Sequence, residues 1–210
     1  MSTFVVGDVH GCAHELEEFL SLAGVSRVVL VGDLFSKGPD PVGVWRLIRE
    51  HRLEAVLGNH DAALLAVQDT SRDDHAARCA AKMDRSADGW RDWVGALPLF
   101  GSVGEYTVVH AGLHPSGCLE RTTRAHALTM RHWPFRDRTA PRWHEVYTGN
   151  RRVIFGHDAR GGLVRVERDG VPWLVGLDTG CVYGGRLSGW CPEDDRYLHV
   201  PARRVYRPVS

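Results

Sequence analysis

Six short apolar runs recur along this chain, and each ends in glycine and polar residues able to do chemistry. Residues 4–6 lead into Gly7-Asp8, residues 28–31 into Gly32-Asp33, and residues 55–57 into Gly58-Asn59-His60-Asp61. Residues 107–109 lead into His110-Ala111-Gly112, residues 153–155 into Gly156-His157-Asp158, and residues 174–177 into Asp178-Thr179-Gly180. Runs this brief and this continuous suit strands covered on both faces. Helix signals lie between the first three. Leu16, Phe19, Leu20 and Ala23 fall at helical spacing over 14–23, and a second helix over 41–51 opens with Asp40 as N-cap and Pro41 in its first turn. Strands alternating with helices predict a mostly parallel sheet with right-handed crossovers.

After Asp61 the pattern changes. Helices are expected over 62–68, 73–84 and 87–94, with Trp90 and Trp93 as packing residues. Residues 121–152 hold eight Arg against only Asp137 and Glu145, together with Pro134, Pro141 and little periodicity, which reads as a basic loop or cap. From 163 onward the sequence alternates between turn signals at Asp169-Gly170 and Gly184-Gly185, predicting antiparallel strands. With no linker, repeat or low-complexity tract, one domain over 1–210 is expected, with a helical and basic cap drawn from about 62–105 and 113–151.

Composition removes several function classes. Lys plus Arg and Asp plus Glu number 26 each, so no global field draws the chain onto a nucleic-acid duplex or an anionic membrane. No window approaches the ~18 apolar residues of a membrane span. Asp8 interrupts the N-terminus before a signal peptide could form. The five cysteines are odd in number and form no C-x-x-C pair, so neither a disulfide scaffold nor a cysteine-built zinc site is expected, and the cytoplasm is the expected compartment. Cys12 and Cys181 read as small packed thiols.

Each polar cluster follows a predicted strand, and in open α/β sheets ligands bind beyond the carboxyl ends of the strands. Asp8 and His10 are two apart and, in extended chain, project to one side. Asp8, His10, Asp33, Asn59, His110 and His157 together supply carboxylate, amide and imidazole but no thiolate. That mixture suits Mn²⁺, Fe or Zn²⁺ in a hydrolytic site better than a structural zinc.

The motifs GDVHG (7–11), GDLFSKG (32–38), GNHD (58–61), HAG (110–112) and GHD (156–158), continued by LDTGCVYGGRLSG (177–189), resemble the calcineurin-like metallophosphoesterases. Within them the likeness is to the phosphoprotein phosphatase branch and its short bacterial ApaH-like members, of the symmetrical diadenosine tetraphosphatase type. The resemblance implies a four-layer α/β fold, two central mixed sheets flanked by helices, with the site at a sheet edge. It implies that Asp8 and His10 hold one divalent metal, that Asn59, His110 and His157 hold another, and that Asp33 bridges them. Mn²⁺ is the expected metal, with Fe or Zn²⁺ as alternatives. A hydroxide between the ions would attack phosphorus, and His60 would protonate the leaving group.

The reaction so implied is symmetrical hydrolysis of diadenosine tetraphosphate to two ADP. The alternatives are a serine/threonine phosphoprotein or small phosphomonoester phosphatase and a 2′,3′-cyclic phosphodiesterase. A non-catalytic metal-binding module would show a missing ligand, and none is missing. Protein phosphatases of this branch carry Asp-Arg where this chain has Ser36-Lys37, which tilts the reading toward nucleotides. Lys37 offers a point charge rather than the fork of Arg. Arg131 is the first choice for a further phosphate ligand, with Arg136, Arg138 and Arg142 as competitors. Trp133, Phe135, Trp143 and Tyr147 could stack on a base. Asp61 and Ser36 are the local candidates for orienting His60, and Asp158 and Asp178 for orienting ligating imidazoles.

Overall fold

The computed structural model describes residues 2–24, 27–69 and 74–208. Along them run β1 (Thr3–Val6), α1 (Ala13–Ala23), β2 (Arg27–Leu30), α2 (Pro41–His51), β3 (Glu54–Ala55), α3 (Asn59–Leu65), α4 (His75–Ser86) and α5 (Trp90–Gly95). There follow β4 (Phe100–Val103), β5 (Tyr106–Val109), α6 (Arg124–Thr129), β6 (Arg152–Phe155), β7 (Val164–Arg168), β8 (Val171–Gly176), β9 (Arg186–Cys191) and β10 (Arg196–Pro201). Short 3-10 turns occupy Trp143–Val146 and Cys181–Tyr183.

Alternation within the buried strands explains why both their faces are apolar. In β1, Phe4 and Val6 join a core shared with α1–α5, whereas Val5 between them faces the other way. In β2, Val28 and Leu30 belong to the helix side, and Val29 to the opposite face. That opposite face meets a second sheet, whose Val108, Ile154 and Val175 close the middle core. The far face of the second sheet places Val109, Val153, Phe155 and Leu174 against Met130, Trp143 and Tyr147. Helices, sheet, sheet and a mixed helical layer follow in that order, the four-layer α/β arrangement expected.

Both sheets are mixed and five-stranded. The first has the order β10-β9-β1-β2-β3, with β1, β2 and β3 parallel and β9 antiparallel to β1. The second has the order β4-β5-β6-β8-β7, with β5, β6 and β8 parallel and β4 and β7 antiparallel at its edges.

The helix boundaries follow local chemistry. Asp40 accepts from Gly43 N at 2.9 Å and starts α2 where expected. α3 starts at Asn59, three residues ahead of the expected 62, because Asp61 Oδ2 reaches back to Gly58 N at 3.3 Å. The cap pulls Asn59 and His60 onto the first helical turn. Asp74 caps α4 by accepting from Ala77 N at 2.8 Å; the expected start at 73 lies outside the described residues. The structure places 100–103, expected from sequence within the helical and basic cap, in the second sheet as β4. The basic stretch is more ordered than a loop, since Thr123 caps α6 by accepting from His126 N at 3.2 Å.

Candidate active site

The carboxyl edges of the two sheets converge on one buried pocket. The first sheet delivers Asp8 and His10 after β1, Asp33 after β2, and Asn59 and His60 at the start of α3; the second delivers His110 after β5, His157 after β6 and Asp178 after β8. Ligand atoms of Asp8, His10 and Asp33 lie within 4.8 Å of one another, as do those of Asp33, His110 and His157. Asp33 belongs to both groups. The fold therefore gathers Asp8, His10, His110 and His157 around the Asp33 carboxylate, with Asn59 Oδ1 2.9 Å from His110 Nε2.

The carboxylates also tie the loops together. Asp8 Oδ1 accepts from His157 N at 3.0 Å, and Asp33 Oδ1 accepts from His60 N at 2.8 Å. His10, Asp33, Lys37 and His157 have φ of 48°, 54°, 71° and 70°, in the left-handed region that non-glycine residues rarely adopt. Such strain, of order 1–3 kcal/mol per residue, persists where surrounding structure over-determines it and clusters at functional sites. Glycines allow the close approaches: a Cβ at Gly156 would collide with Asp8 Oδ1, and one at Gly58 with Asp33 N. Gly112 leaves room for the Trp143 indole.

The donor chemistry fits cations. His110 Nδ1 lies 2.9 Å from the Val31 carbonyl, so that nitrogen donates and Nε2 carries a lone pair. This lone pair faces Asn59 Oδ1 at 2.9 Å and Asp33 Oδ1 at 3.5 Å. Acceptors turned on acceptors call for a positive charge between them. Asp8 Oδ2 and both ring nitrogens of His157 are buried without a hydrogen-bond partner. Burial drives the groups toward neutrality. It pushes Asp33 up to about 7, Asp178 up to about 6 and Asp8 well above the carboxylate range. It also brings His110 down to about 4 and holds His10 and His157 well below the usual imidazole range. Divalent cations would remove that penalty.

His60 is half-buried at the pocket's edge, its ring 5.2 Å from that of His10, and burial followed by the Lys37 charge lowers it to about 3. Neither expected orienting partner faces it. Asp61 spends its oxygens on Leu34 N, at 2.9 Å, and Gly58 N. Ser36 Oγ lies 3.4 Å from His10 Nδ1 instead. Asp158 likewise pairs with Arg142 and Arg131 rather than with an imidazole.

A cleft of about 1110 Å³ opens beside the pocket and reaches His10 and His157. Lys37, Arg131, Arg136, Arg138, Arg142 and Arg160 line it, against Asp158 and Asp178. Arg131 lies in this cleft, with its Nη2 donating to the His157 carbonyl at 3.2 Å. The expected stacking residues are differently placed. Trp143 and Tyr147 are core residues, Trp133 packs against His114 and His126, and Phe135 against His126. The aromatic side chain in the cleft is Tyr183, with Lys37 Nζ 5.5 Å from its ring centre. Tyr183 sits in the 177–189 motif, which was the one available signal for it.

Two mixed sheets meeting at a carboxylate–imidazole pocket beneath a cationic cleft define a metal-dependent phosphohydrolase. The model of the calcineurin-like phosphoesterase family matches residues 1–161, and the chain belongs to that family. Among curated relatives, the "Bis(5'-nucleosyl)-tetraphosphatase, symmetrical" of Chromobacterium violaceum is 33% identical, the match covering 100% of this chain and 98% of the relative. That of Nitrosomonas europaea is 28% identical, over 97% of this chain and all of the relative. A solved structure provisionally described as a diadenosine tetraphosphatase is 32% identical, with a TM-score of 0.80 over 96% of this chain and 93% of its own. No helix among the described residues is long and apolar enough to cross a membrane.

Proposed function

We propose that this enzyme hydrolyses diadenosine tetraphosphate symmetrically, releasing two ADP. The observation that carries the reading is the cleft, whose six basic side chains face a volume larger than most single-ligand pockets. A phosphomonoester presents its charge at one point and would leave most of these groups unused. A polyphosphate bridge spreads charge over several phosphates and can engage Lys37 and Arg131 near the pocket and Arg136, Arg138 and Arg142 further out. The names of the full-length relatives point the same way.

In this reading Asp8 and His10 hold one divalent ion, Asn59, His110 and His157 the other, and Asp33 both. Mn²⁺ is the ion of choice, and the cytoplasm the compartment. Bound there, the two ions would lower the pKa of water and compensate charge on the phosphoryl oxygens. The remaining steps belong to the chain. Lys37 and Arg131 orient the phosphate to be cleaved. His60 gives a proton to the departing phosphate oxygen. Burial, and after it the Lys37 charge, keeps its ring neutral in the free protein, and a polyanion lying beside it would offset the Lys37 and Arg131 fields.

The test is product analysis with Mn²⁺-loaded protein at fixed ionic strength. ADP alone is expected from diadenosine tetraphosphate, with a higher kcat/KM than for phosphoserine peptides. ATP plus AMP would reject symmetrical cleavage, and faster turnover of the peptides would reject the substrate class.

A further inference from the structure

Cys12 and Cys181 stand at opposite ends of the sequence, yet the fold brings them together beneath the active-site loops. Cys12 immediately precedes α1, Glu15 lies on its first turn, and Cys181 begins the 3-10 turn that carries Tyr183. One donor atom from each of the three lies within 4.8 Å of the others, and all three side chains are buried. Glu15 Oε1 is satisfied, accepting from Arg203 N at 3.0 Å and from the Tyr206 hydroxyl at 2.7 Å. Glu15 Oε2 is buried with no hydrogen-bond partner. A buried carboxylate oxygen left bare is strongly unfavourable in apolar surroundings unless a donor or a positive charge meets it.

We infer that Cys12, Glu15 and Cys181 form a further metal site, selective for a borderline-soft divalent ion such as Zn²⁺ and separate from the hydrolytic centre. Two sulfurs and one carboxylate oxygen are a donor set that Zn²⁺ accepts and Mn²⁺ does not favour, whereas the hydrolytic pocket offers only oxygen and nitrogen. The two centres would therefore sort different metals. On binding, the two thiols release their protons to solvent and the ion takes their place. The ion would fasten the start of α1, just beyond the His10 loop, to the 180–184 loop that lines the cleft. Through Glu15 it would also fasten both to the segment carrying Arg203 and Tyr206. Its role is to hold the cleft wall, since none of its ligands reaches the cleft.

Sulfur-to-metal charge transfer isolates this site, because the hydrolytic centre contains no thiolate. The full chain, stripped of metal under reducing conditions and loaded with Mn²⁺, is titrated with Co²⁺ and followed in the near ultraviolet. One equivalent of Co²⁺ should build a charge-transfer band that Zn²⁺ then bleaches, and elemental analysis should count three ions per chain. The band should vanish in Cys181→Ser, shift or weaken in Glu15→Gln, and survive in Cys79→Ser, Cys118→Ser and Cys191→Ser. A wild-type protein that binds two ions and shows no band overturns the inference without any variant. So does a band that persists undiminished in both Cys181→Ser and Glu15→Gln.

Discussion

Lys37 Nζ stands 3.2 Å from His10 Nε2, the ring atom that also faces Asp8 Oδ2 at 3.8 Å and Asp33 Oδ2 at 3.5 Å. The backbone holds it there, with φ at 71° and the Lys37 amide donating to His75 Nε2 at 2.7 Å. The ammonium supplies part of the positive charge that the two carboxylates lack. A cation bound between Asp8, His10 and Asp33 would compete with it, so Lys37 must turn outward into the cleft, toward Tyr183 and the substrate.

Removing that competitor should separate metal binding from substrate binding. Lys37→Met is expected to tighten Mn²⁺ binding several-fold by calorimetry. It should also raise KM for diadenosine tetraphosphate about tenfold or more, the loss of one charged hydrogen bond of about 1.5–3 kcal/mol. Lys37→Arg should instead raise activity on phosphomonoesters relative to the dinucleotide, because the guanidinium can grip a terminal phosphate with two bonds. Weaker Mn²⁺ binding by Lys37→Met would show that the ammonium supports the centre rather than competing with it.

Asp33 is shared by both donor groups, and no other residue is. Asp33→Asn should leave the circular dichroism spectrum near wild type while elemental analysis shows loss of metal and hydrolysis collapses. A folded, active variant holding two tightly bound ions would refute the bridging assignment.

His60 should affect turnover more than metal content. General acid catalysis contributes typically ~10²–10⁴ in rate, so His60→Ala should lower kcat on diadenosine tetraphosphate within that range. The loss on p-nitrophenyl phosphate esters should be smaller, because that leaving group departs without a proton. Equal losses on the two substrates would contradict the assignment.

The legible parts of this protein were those with redundant signals. Val5 and Val29 face the second sheet while their neighbours face helices, so β1 and β2 had to be apolar throughout and stood out as runs. The residues proposed as metal donors stood out because each lies just after such a run. β4 escaped because Phe100, Gly101 and Ser102 are only partly buried or exposed at an edge, and Gly101 and Ser102 carry no strand preference. Trp143 and Tyr147 sit among arginines in sequence but point into the core, and no local pattern marks which way an irregular segment turns its aromatics. The start of α3 was missed because its determinant is a side chain three residues in, Asp61 bonding back to Gly58. The grouping of Cys12 with Cys181 depends on the packing of α1 against the 177–189 loop, which spacing does not encode.

Burial of the uncompensated donors gives the metal-free protein a pH dependence with a definite sign. Asp33 ionises in the unfolded chain near 3.8 but in the folded chain only near 7, so between those values the folded state holds the extra proton. Stability from this group is present below the unfolded value and is lost as pH rises through about 7. Asp178, raised to about 6, and Asp8, held well above the carboxylate range by burial, act in the same direction. His10, His60, His110 and His157 oppose them, because burial keeps these rings neutral while the unfolded chain protonates them below 6.5. Below about pH 6.5 the two sets act in opposite directions, and above it the carboxylates alone of these groups still titrate. Metal-free wild type should therefore lose stability from pH 6.5 to 8, whereas Mn²⁺-loaded protein, with its carboxylates held ionised, should not. Metal-free Asp33→Asn lacks one of these carboxylate burdens at that pH. Its Tm at pH 8 should exceed that of metal-free wild type by at least ~3 °C, the change that about 1 kcal/mol makes in a chain of this size. Differential scanning fluorimetry in chelator reads both, and a metal-free wild type whose Tm rises between pH 6.5 and 8 would show that the pocket's carboxylates are compensated without any cation.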